Sequence, residues 1–473
     1  VGFLGRASYN YAGRYLLTLS VRRDGASTFA PENRWGTFPA VSLGWRISEE
    51  SFFDVPWISE LKLRGSWGQL GNSTLPNDSY EYPHLFQVDI TPDYGLNGET
   101  VVKAPAPRNF VNRDLVWETS ETIDFGFESG LFDNAFTFAA TYYRRDTKDF
   151  LVNLPLPKIS GFPEGAPVNS GLVRNTGFEF EAGYNTVLPG RIGLSVTANL
   201  TTVKNRLVSL AEGIEEYAFV ENQRTAVGYP IGYFYGYKTC GIYQTQAEAD
   251  AAPLDMTLGG RKPQPGDVCF QDIHGRDKEG RLTNKPDGLI TPDDRTYLGK
   301  SIPDYYYGLG VTATWGRFDL AALFTGVGGV QKYNQVRQRL ESVVGGGANR
   351  LVAVLERWRP DRPSNRMPRA TVDDPNDNDR FSDRWVEDAD YFRLRNLQIG
   401  YTLPAGWLGT RETRVYLAAT NLLTLTPYKG LDPEFTTSID FVRSRNDRQI
   451  DAGRDTGNLP QPRIFQIGVS TTF

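Results

Sequence analysis

The sequence is poor in the residues that build most catalytic and soft-metal sites. Its 473 residues include two histidines and two cysteines, too few for typical imidazole or thiolate metal centres or for histidine-based catalysis. No nucleophile–base pair, paired-carboxylate motif or phosphate-binding loop stands out, so the sequence argues against an enzyme. The net charge is −5 and there is no basic block, so no nucleic-acid partner is expected.

Long hydrophobic runs are also missing. No stretch reaches the roughly 18 consecutive apolar residues of a membrane-spanning helix, which excludes a helical membrane protein. The mean hydropathy of −0.42 suits a soluble protein, but it also suits a membrane β-barrel, whose strands combine an apolar and a polar face. Aromatic residues make up 13% of the chain, enough for girdles at both membrane interfaces. A large soluble all-β protein rich in tyrosine is the alternative.

What the sequence does contain is alternation with a period of two. Near its end, Phe465, Ile467 and Val469 alternate with mostly polar residues, so a strand there has one apolar face. The same pattern, bounded by turn residues, predicts thirteen strands in all. They are expected at residues 2–11, 14–23, 36–47, 60–70, 118–131, 135–146, 174–186, 191–204, 304–315, 318–328, 391–403, 412–425 and 463–473.

Short and long connections alternate between these predicted strands. The short ones are 11–13, 48–59, 132–134, 187–190, 316–317 and 404–411. The long ones are 24–35, 71–117, 147–173, 205–303, 329–390 and 426–462. The alternation predicts an all-β fold, a transmembrane antiparallel barrel with tight periplasmic turns and large extracellular loops. Because single-chain bacterial barrels usually have an even number of strands, further strands are expected upstream, with residues 1–473 forming the C-terminal part.

The alternation also assigns each strand a lipid face and a lumen face. Carboxylates on one face of several strands would strongly destabilise a protein whose core excludes water, but they are compatible with a water-filled lumen. The residues predicted to face the lumen are Arg64, Asp124, Glu128, Glu179 and Glu181. Those predicted to face lipid are Trp45, Trp67, Phe125, Phe138, Tyr184, Leu194, Trp315 and Val469.

Several segments, taken in their order and spacing, carry a family resemblance that extends from end to end of the chain. They include Asn-Arg-Trp-Gly-Thr-Phe-Pro at 33–39, Leu-Lys-Leu-Arg-Gly-Ser-Trp-Gly at 61–68, Gly-Leu-Val-Arg-Asn-Thr-Gly-Phe-Glu at 171–179, Asp-Arg-Trp-Val-Glu-Asp at 383–388, Tyr-Phe-Arg-Leu-Arg-Asn-Leu at 391–397 and Tyr-Lys-Gly-Leu-Asp-Pro-Glu at 428–434. Together they resemble the SusC-like (SusC/RagA-type) TonB-dependent transporters of Bacteroidetes outer membranes.

The resemblance implies a barrel of about 22 strands around an N-terminal plug, of which this chain would supply the last thirteen. The plug and the TonB-contacting segment would lie outside it. Members import oligosaccharides or peptides with energy from TonB, beneath a SusD-like lipoprotein lid. The implied partners are therefore that lid, TonB, and outer-membrane lipid and lipopolysaccharide. A passive porin or channel, or a barrel scaffold for adhesion or secretion, remains open as an alternative.

One loop segment has features of a calcium site. Asp272 precedes Asp287, which is followed by glycine, and then Asp293 and Asp294. Hard oxygens around a sharp glycine turn resemble the second half of a calcium loop. An insertion at 276–285 displaces the first half, and the closing glutamate is absent. Calcium bound by these four aspartates is one hypothesis, and an Asx-rich turn is the other; no other cofactor is expected.

The two cysteines lie in one long loop. Cys240 and Cys269 are both flanked by segments that resemble short strands. In the oxidising compartment that an outer-membrane loop would occupy, two such cysteines predict a disulfide. Two buried free thiols are the alternative.

The longest loops also contain candidate contacts for substrate or lid, because loops of such length are uncommon unless functional or disordered. Aromatic side chains that could stack on sugars, with girdle or core packing as the alternative for each, are Tyr80, Tyr82, Tyr233, Phe234, Tyr235 and Tyr237. Arginines in the 330–380 loop, among them Arg357 and Arg359, could bind an anionic ligand or the lid, or form a solvated loop face.

Overall fold

Thirteen long strands form one antiparallel sheet, which we call the wall sheet. They appear in a computed structural model that describes residues 1–74, 88–89, 93–96, 100–103, 106–107, 112–154, 159, 166–210, 216–220, 222–345, 349–404, 406, 412–435 and 452–472. The strands are β1 (Gly2–Tyr11), β2 (Tyr15–Gly25), β3 (Trp35–Arg46), β4 (Ile58–Asn72), β5 (Glu118–Leu131), β6 (Phe136–Lys148), β7 (Leu172–Leu188), β8 (Ile192–Thr202), β9 (Tyr305–Trp315), β10 (Phe318–Gly328), β11 (Tyr391–Thr402), β12 (Glu412–Leu425) and β13 (Ile464–Thr472). Each strand pairs with its neighbours in the chain.

All thirteen predicted strands are confirmed, and their ends differ from the prediction by at most two residues. The tight connection between β1 and β2 contains two residues with a positive φ. Ala12 and Gly13 have φ values of 54° and 71°, which suits the turn that joins two strands through two central residues. Beyond β8, the strand Lys204–Ser209 continues its line and pairs with the start of β7.

The pairing register confirms the predicted separation of faces. Directly paired residues share a face, as with Trp67 and Ile123 or Tyr184 and Val196. Followed across all thirteen strands, the register places the eight residues predicted for lipid on one face. The five charged residues predicted for the lumen lie on the opposite face. Phe125 on the apolar face is 62% exposed, as expected of a side chain whose solvent is lipid.

The long connections contain small elements, and those of 205–303, 329–390 and 426–462 form what we call the loop body. Strands outside the wall sheet are Val88–Asp89, Asp93–Leu96, Thr100–Lys103, Ala106–Pro107, Leu151–Leu154, Ala166–Asn169, Lys204–Ser209, Glu216–Val220, Gln223–Ala226, Tyr233–Gly236, Thr239–Ile242, Leu254–Asp255, Val268–Phe270, Gly275–Arg276, Leu282–Thr283, Leu289–Ile290, Thr296–Gly299, Gln331–Asn334, Val386–Asp388 and Arg454–Asp455. Helices are α1 (Gln246–Ala251) and α2 (Gln335–Glu341), with 3-10 turns at Ile47–Glu49, Met256–Leu258, Pro292–Asp294 and Val352–Glu356. Across the residues described, none of the helices has the length and apolar character needed to cross a membrane.

Much of the packed core lies in the loop body. Phe234, Tyr333 and Trp385 form one buried cluster, and Val268, Phe270 and Ile290 form another. The loop body therefore has hydrophobic cores of its own.

Candidate functional site

The lumen face of the wall sheet carries a ladder of mixed charges. Lys62 Nζ and Arg64 Nε lie 3.1 and 3.0 Å from the two oxygens of Glu128. Arg64 Nη2 also donates to Thr141 Oγ1 at 2.7 Å, and Ser66 donates to Asp124. These cross-strand pairs lie on a polar surface that carries both signs of charge, suited to water and polar solutes.

The two longest loops lock together around one buried carboxylate. Asp267 is 1% exposed and accepts hydrogen bonds from Arg369 Nε at 2.7 Å and Nη2 at 3.1 Å. Asn378 Nδ2 donates to the same carboxylate at 3.1 Å, and its Oδ1 accepts from Val268 N at 2.8 Å. A buried charge requires such compensation, so these contacts fix the 329–390 loop to the 205–303 loop.

Further contacts extend this junction. Arg380 Nη2 donates to Asp255 at 2.6 Å, with both side chains buried, and its guanidinium lies 4.2 Å from the ring centroid of Phe270. Thr239 Oγ1 donates to Asp383 at 2.7 Å. Polar side chains from both loops therefore hold the loop body in one arrangement.

The predicted disulfide is present within this junction. Cys240 and Cys269 are bonded, with their Cα atoms 5.1 Å apart. They lie on the antiparallel strands Thr239–Ile242 and Val268–Phe270. The bridge therefore links two neighbouring strands of the 205–303 loop. The same two strands contact the 329–390 loop through Thr239 and Val268.

The four aspartates of the calcium hypothesis have other partners. Asp294 Oδ1 accepts from Ile273 N at 2.7 Å and His274 N at 3.0 Å, and its Oδ2 accepts from Thr291 N at 2.7 Å. The bond from Thr291 N belongs to a capping box at the Pro292–Asp294 turn. The other two bonds tie this turn to the backbone at Ile273 and His274, so Asp294 organises the loop backbone.

The remaining aspartates are similarly engaged. Asp272 accepts from the backbone N–H groups of Asp287 and Gly288 at 3.2 and 2.6 Å. Asp293 is bound by Arg276 at 2.6 and 2.8 Å, which lowers the pKa of that carboxyl. Over the described part of the chain, no three acidic, histidine or cysteine side chains are arranged to hold a metal. Calcium binding stays a prediction, and these contacts favour the Asx-rich turn.

The aromatic candidates divide between core and surface. Phe234 is fully buried beside Trp385, and Tyr233 is buried too; for these two, core packing replaces the expected ligand contact. Tyr237 is half-buried against the Val268 cluster. The ring of Tyr235, also half-buried, lies 3.7 Å below the Arg224 guanidinium. Tyr80 and Tyr82 lie outside the described residues.

Sequence reasoning missed the aromatic residues that do reach the surface. Tyr229 is 46% exposed and stacks on Tyr233 and Tyr297, with ring centroids 4.9 and 6.1 Å apart. Tyr297 is also exposed. The two rings form a small aromatic platform on the loop body, and no periodic pattern in the sequence marks them.

The arginine candidates lie in an apolar setting. Arg359 is exposed and pairs with Asp361 at 2.8 Å, whereas Arg357 is half-buried and its backbone bridges to Met367. In the same loop, Val352 and Leu355 are 79% and 66% exposed. Both side chains belong to the 3-10 turn Val352–Glu356, so this turn presents apolar side chains to solvent.

A cluster that the sequence did not predict ties the 426–462 loop to the wall sheet. Arg393 is fully buried and donates to Asp432 at 2.5 Å and Glu434 at 3.0 Å. Arg395 Nη2 reaches both Glu434 oxygens, at 2.6 and 2.7 Å. A bulge between Leu394 and Asn396 turns both arginines toward the lumen; bulges commonly re-aim side chains in this way.

A signal for this bulge was present in the sequence. The apolar positions of β11 change phase, from Phe392 and Leu394 to Leu397, Ile399 and Tyr401. Uninterrupted alternation would put both arginines on the same face as Ile399. The phase change marks an extra residue between the two halves of the strand.

Close to this cluster lies a buried lysine. Lys332 Nζ donates to Phe435 O at 2.7 Å and lies 3.9 Å from the Phe435 ring centroid. Burial lowers its pKa to about 8, against the opposing effect of Asp455 and other carboxylates. The charged form of Lys332 is therefore less stable in the loop body than in water.

Comparison with known proteins identifies this architecture. Residues 1–422 match the sequence model of a family described as TonB dependent receptor-like, beta-barrel. The chain belongs to this family. It is 30% identical over 485 residues to TonB-dependent receptor P3 of Formosa agariphila, covering 100% of this chain and 45% of that protein. It is 27% identical over 492 residues to TonB-dependent receptor SusC of Bacteroides thetaiotaomicron, covering 100% and 44%.

A solved structure shares the fold. The RagAB peptide transporter matches with a TM-score of 0.78 at 24% identity, over 100% of this chain and 47% of that chain. The chain spans a little under half the length of the relatives it matches. Membership of this TonB-dependent receptor family locates it in the outer membrane as a β-barrel. The wall sheet is barrel wall, and in such barrels tight turns face the periplasm and long loops face outward.

Proposed function

We propose that the whole protein imports oligosaccharides or peptides across the outer membrane, driven by TonB and working with a SusD-like lipoprotein lid. This chain would contribute thirteen strands of the barrel, with the plug and the TonB-contacting segment elsewhere in a longer protein. Similarity to SusC and to the RagAB peptide transporter supports the proposal.

The observation that carries the proposal is the folded loop body. Two of its loops are joined through Asp267, Arg369 and Asn378. A disulfide cross-links two strands within the 205–303 loop. Ordering long loops costs conformational entropy. A passive pore does not need ordered outer loops, so their order favours a role in binding. A fixed outer surface is what a docking partner needs.

The lid would contact the exposed turn at Val352 and Leu355, together with Arg359. An interface of this kind combines apolar side chains with arginine, which is enriched in protein–protein contacts. Substrate would bind between lid and barrel, where the rings of Tyr229 and Tyr297 could stack on sugar faces or on peptide side chains.

Co-purification tests the lid. The full-length transporter would be co-expressed with the lipoprotein encoded beside it and extracted in mild detergent. Val352→Asp with Leu355→Asp should reduce lid recovery at least tenfold, because two charges would enter an apolar contact. The matched control is Leu282→Asp, which alters an exposed leucine on a separate hairpin and should leave recovery unchanged.

Uptake measurements separate import from passive flow. Accumulation of substrate should require TonB and should fail when the inner-membrane energy supply is dissipated. A wild-type barrel that emerges alone from mild detergent, and passes substrate equally well without TonB, would favour the passive channel.

A further inference from the structure

The lipid-facing side of β7 has an apolar belt of defined height. Its outward positions run from Phe178 through Phe180, Ala182 and Tyr184 to Leu188. Ten residue steps of about 3.4 Å, tilted by roughly 40°, give a height of about 26 Å. That height matches the apolar band of about 25 Å in outer-membrane barrels, so residues before Phe178 lie at the depth of the outer headgroups.

At that depth the same face becomes basic. Arg144 of β6 pairs with Thr176 of β7, which pairs with Lys204 beyond β8. One step further out, Asp146 pairs with Arg174, and Arg174 pairs with Arg206. Since directly paired residues share a face, this register places all of these side chains above the aromatic rings of Tyr142 and Phe178, on the lipid side of the wall.

A buried carboxylate holds two of the arginines. Asp146 is 5% exposed; it accepts from Arg174 Nε and Nη2 at 2.7 and 2.9 Å and from Arg144 Nη2 at 2.6 Å. The described contacts of both arginines use Nε and Nη2, and both side chains remain partly exposed. Their remaining N–H groups are therefore fixed in place beside solvent or headgroups.

The row keeps a surplus of positive charge. Lys204 and Arg206 are exposed, and neither has an ion pair within the described residues. With Arg144, Arg174 and Lys148 they make five basic side chains on this face. Two carboxylates oppose them, Asp146 and its cross-strand partner Glu121, so the net charge is +3.

This surplus is local to one sector of the barrel. The nearby Lys148 is neutralised by Glu121, at 2.9 Å. On the lipid face of other strands, the corresponding outer ends carry Tyr305 of β9, Phe392 of β11 and Leu425 of β12, and a lone arginine, Arg23, on β2. A cluster of several adjacent basic side chains is therefore particular to β6, β7 and the segment beyond β8.

We propose that Arg144, Arg174, Lys204 and Arg206 bind the phosphate-bearing headgroup of an outer-leaflet glycolipid of the lipid A type. Arginine forks and lysine ammonium groups are the usual phosphate ligands. The row is continuous with the lipid-facing belt and points sideways into the leaflet, which favours a lipid over a protein lid above the barrel. Acyl chains would lie along Phe178 and Phe180. The site is independent of what the transporter imports.

Binding of defined lipids tests the site on the full-length protein in detergent. Diphosphoryl lipid A should bind the wild type, and lipid A treated with phosphatase should bind much more weakly. Lys204→Gln with Arg206→Gln should weaken binding of diphosphoryl lipid A about 25-fold, at roughly fivefold for each charge near an anionic surface. These two residues hold no described ion pair, so the barrel should fold normally, as heat-modifiable gel migration would show.

The matched control removes the same charge elsewhere. Lys278→Gln with Arg281→Gln alters two exposed residues on a loop hairpin and should leave lipid affinity within twofold of the wild type. Equal binding of phosphorylated and dephosphorylated lipid A would overturn the proposal. So would unchanged affinity of the Lys204/Arg206 variant, or an equal loss in the control.

Discussion

The wall sheet and the loop body place apolar and charged side chains in opposite ways. In the wall sheet, large apolar side chains such as Phe125 and Trp315 are exposed, because lipid is their solvent. In the loop body, charged groups such as Asp267 and Arg380 are buried and are each bound to a side chain of opposite charge. The wall is therefore specified by alternation along each strand, whereas the loop body is specified by contacts between distant residues.

Breaking one buried pair should damage the loop body most. Arg369→Met leaves the buried Asp267 carboxylate without its cationic partner, which should cost about 3–5 kcal/mol of local stability. Hydrogen exchange should then accelerate in residues 239–270 and 376–383, while the wall strands stay protected. Arg359→Met is the control, because Arg359 is exposed and its loss should change local stability by under ~1 kcal/mol.

A charge on the lipid face should damage the wall instead. Val196→Arg, on the lipid face opposite Tyr184 and near the middle of the apolar belt, should cost roughly 2–4 kcal/mol. Ser195→Arg changes the adjacent residue, which faces the lumen, and should cost much less. Denaturant titration of the barrel refolded in lipid vesicles measures both. Equal losses for the two variants would contradict the assigned faces.

Removal of the disulfide should act within the loop body. Replacing Cys240 and Cys269 by serine should cost about 3 kcal/mol of local stability in the chain-entropy picture. Limited proteolysis should cut residues 241–268 faster, with no change in barrel unfolding. Loss of barrel stability on reduction would show that the two regions are coupled.

A further expected effect is a pH dependence confined to the loop body. Lys332 has a pKa of about 8 when folded, against 10.5 for the free side chain. Between these values the unfolded chain binds more protons, so stability should rise as pH increases from 8 toward 10.5 and be lowest below 8. Hydrogen exchange corrected for intrinsic rates would follow this rise, and Lys332→Met should flatten it.

The two regions also differ in how far the sequence predicts them. Alternation located the wall strands to within two residues, since lipid and water impose opposite polarity on successive side chains. It failed only where β11 changes phase, which left Arg393 and Arg395 unassigned. In the loop body, Asp267 and Arg369 are separated by 102 residues, and no local pattern marks such a pair. The disulfide was predictable because the chain has only two cysteines.

Site-directed spin labelling along β7 tests the central assignment most directly. Single cysteines at positions 178 to 184, in full-length protein reconstituted in lipid, would be compared for access to oxygen and to a water-soluble nickel complex. Labels at 178, 180, 182 and 184 should favour oxygen, and labels at 179, 181 and 183 should favour nickel, with a period of two. Labels at Glu179 and Glu181 that meet lipid, or no period at all, would contradict the barrel wall described here.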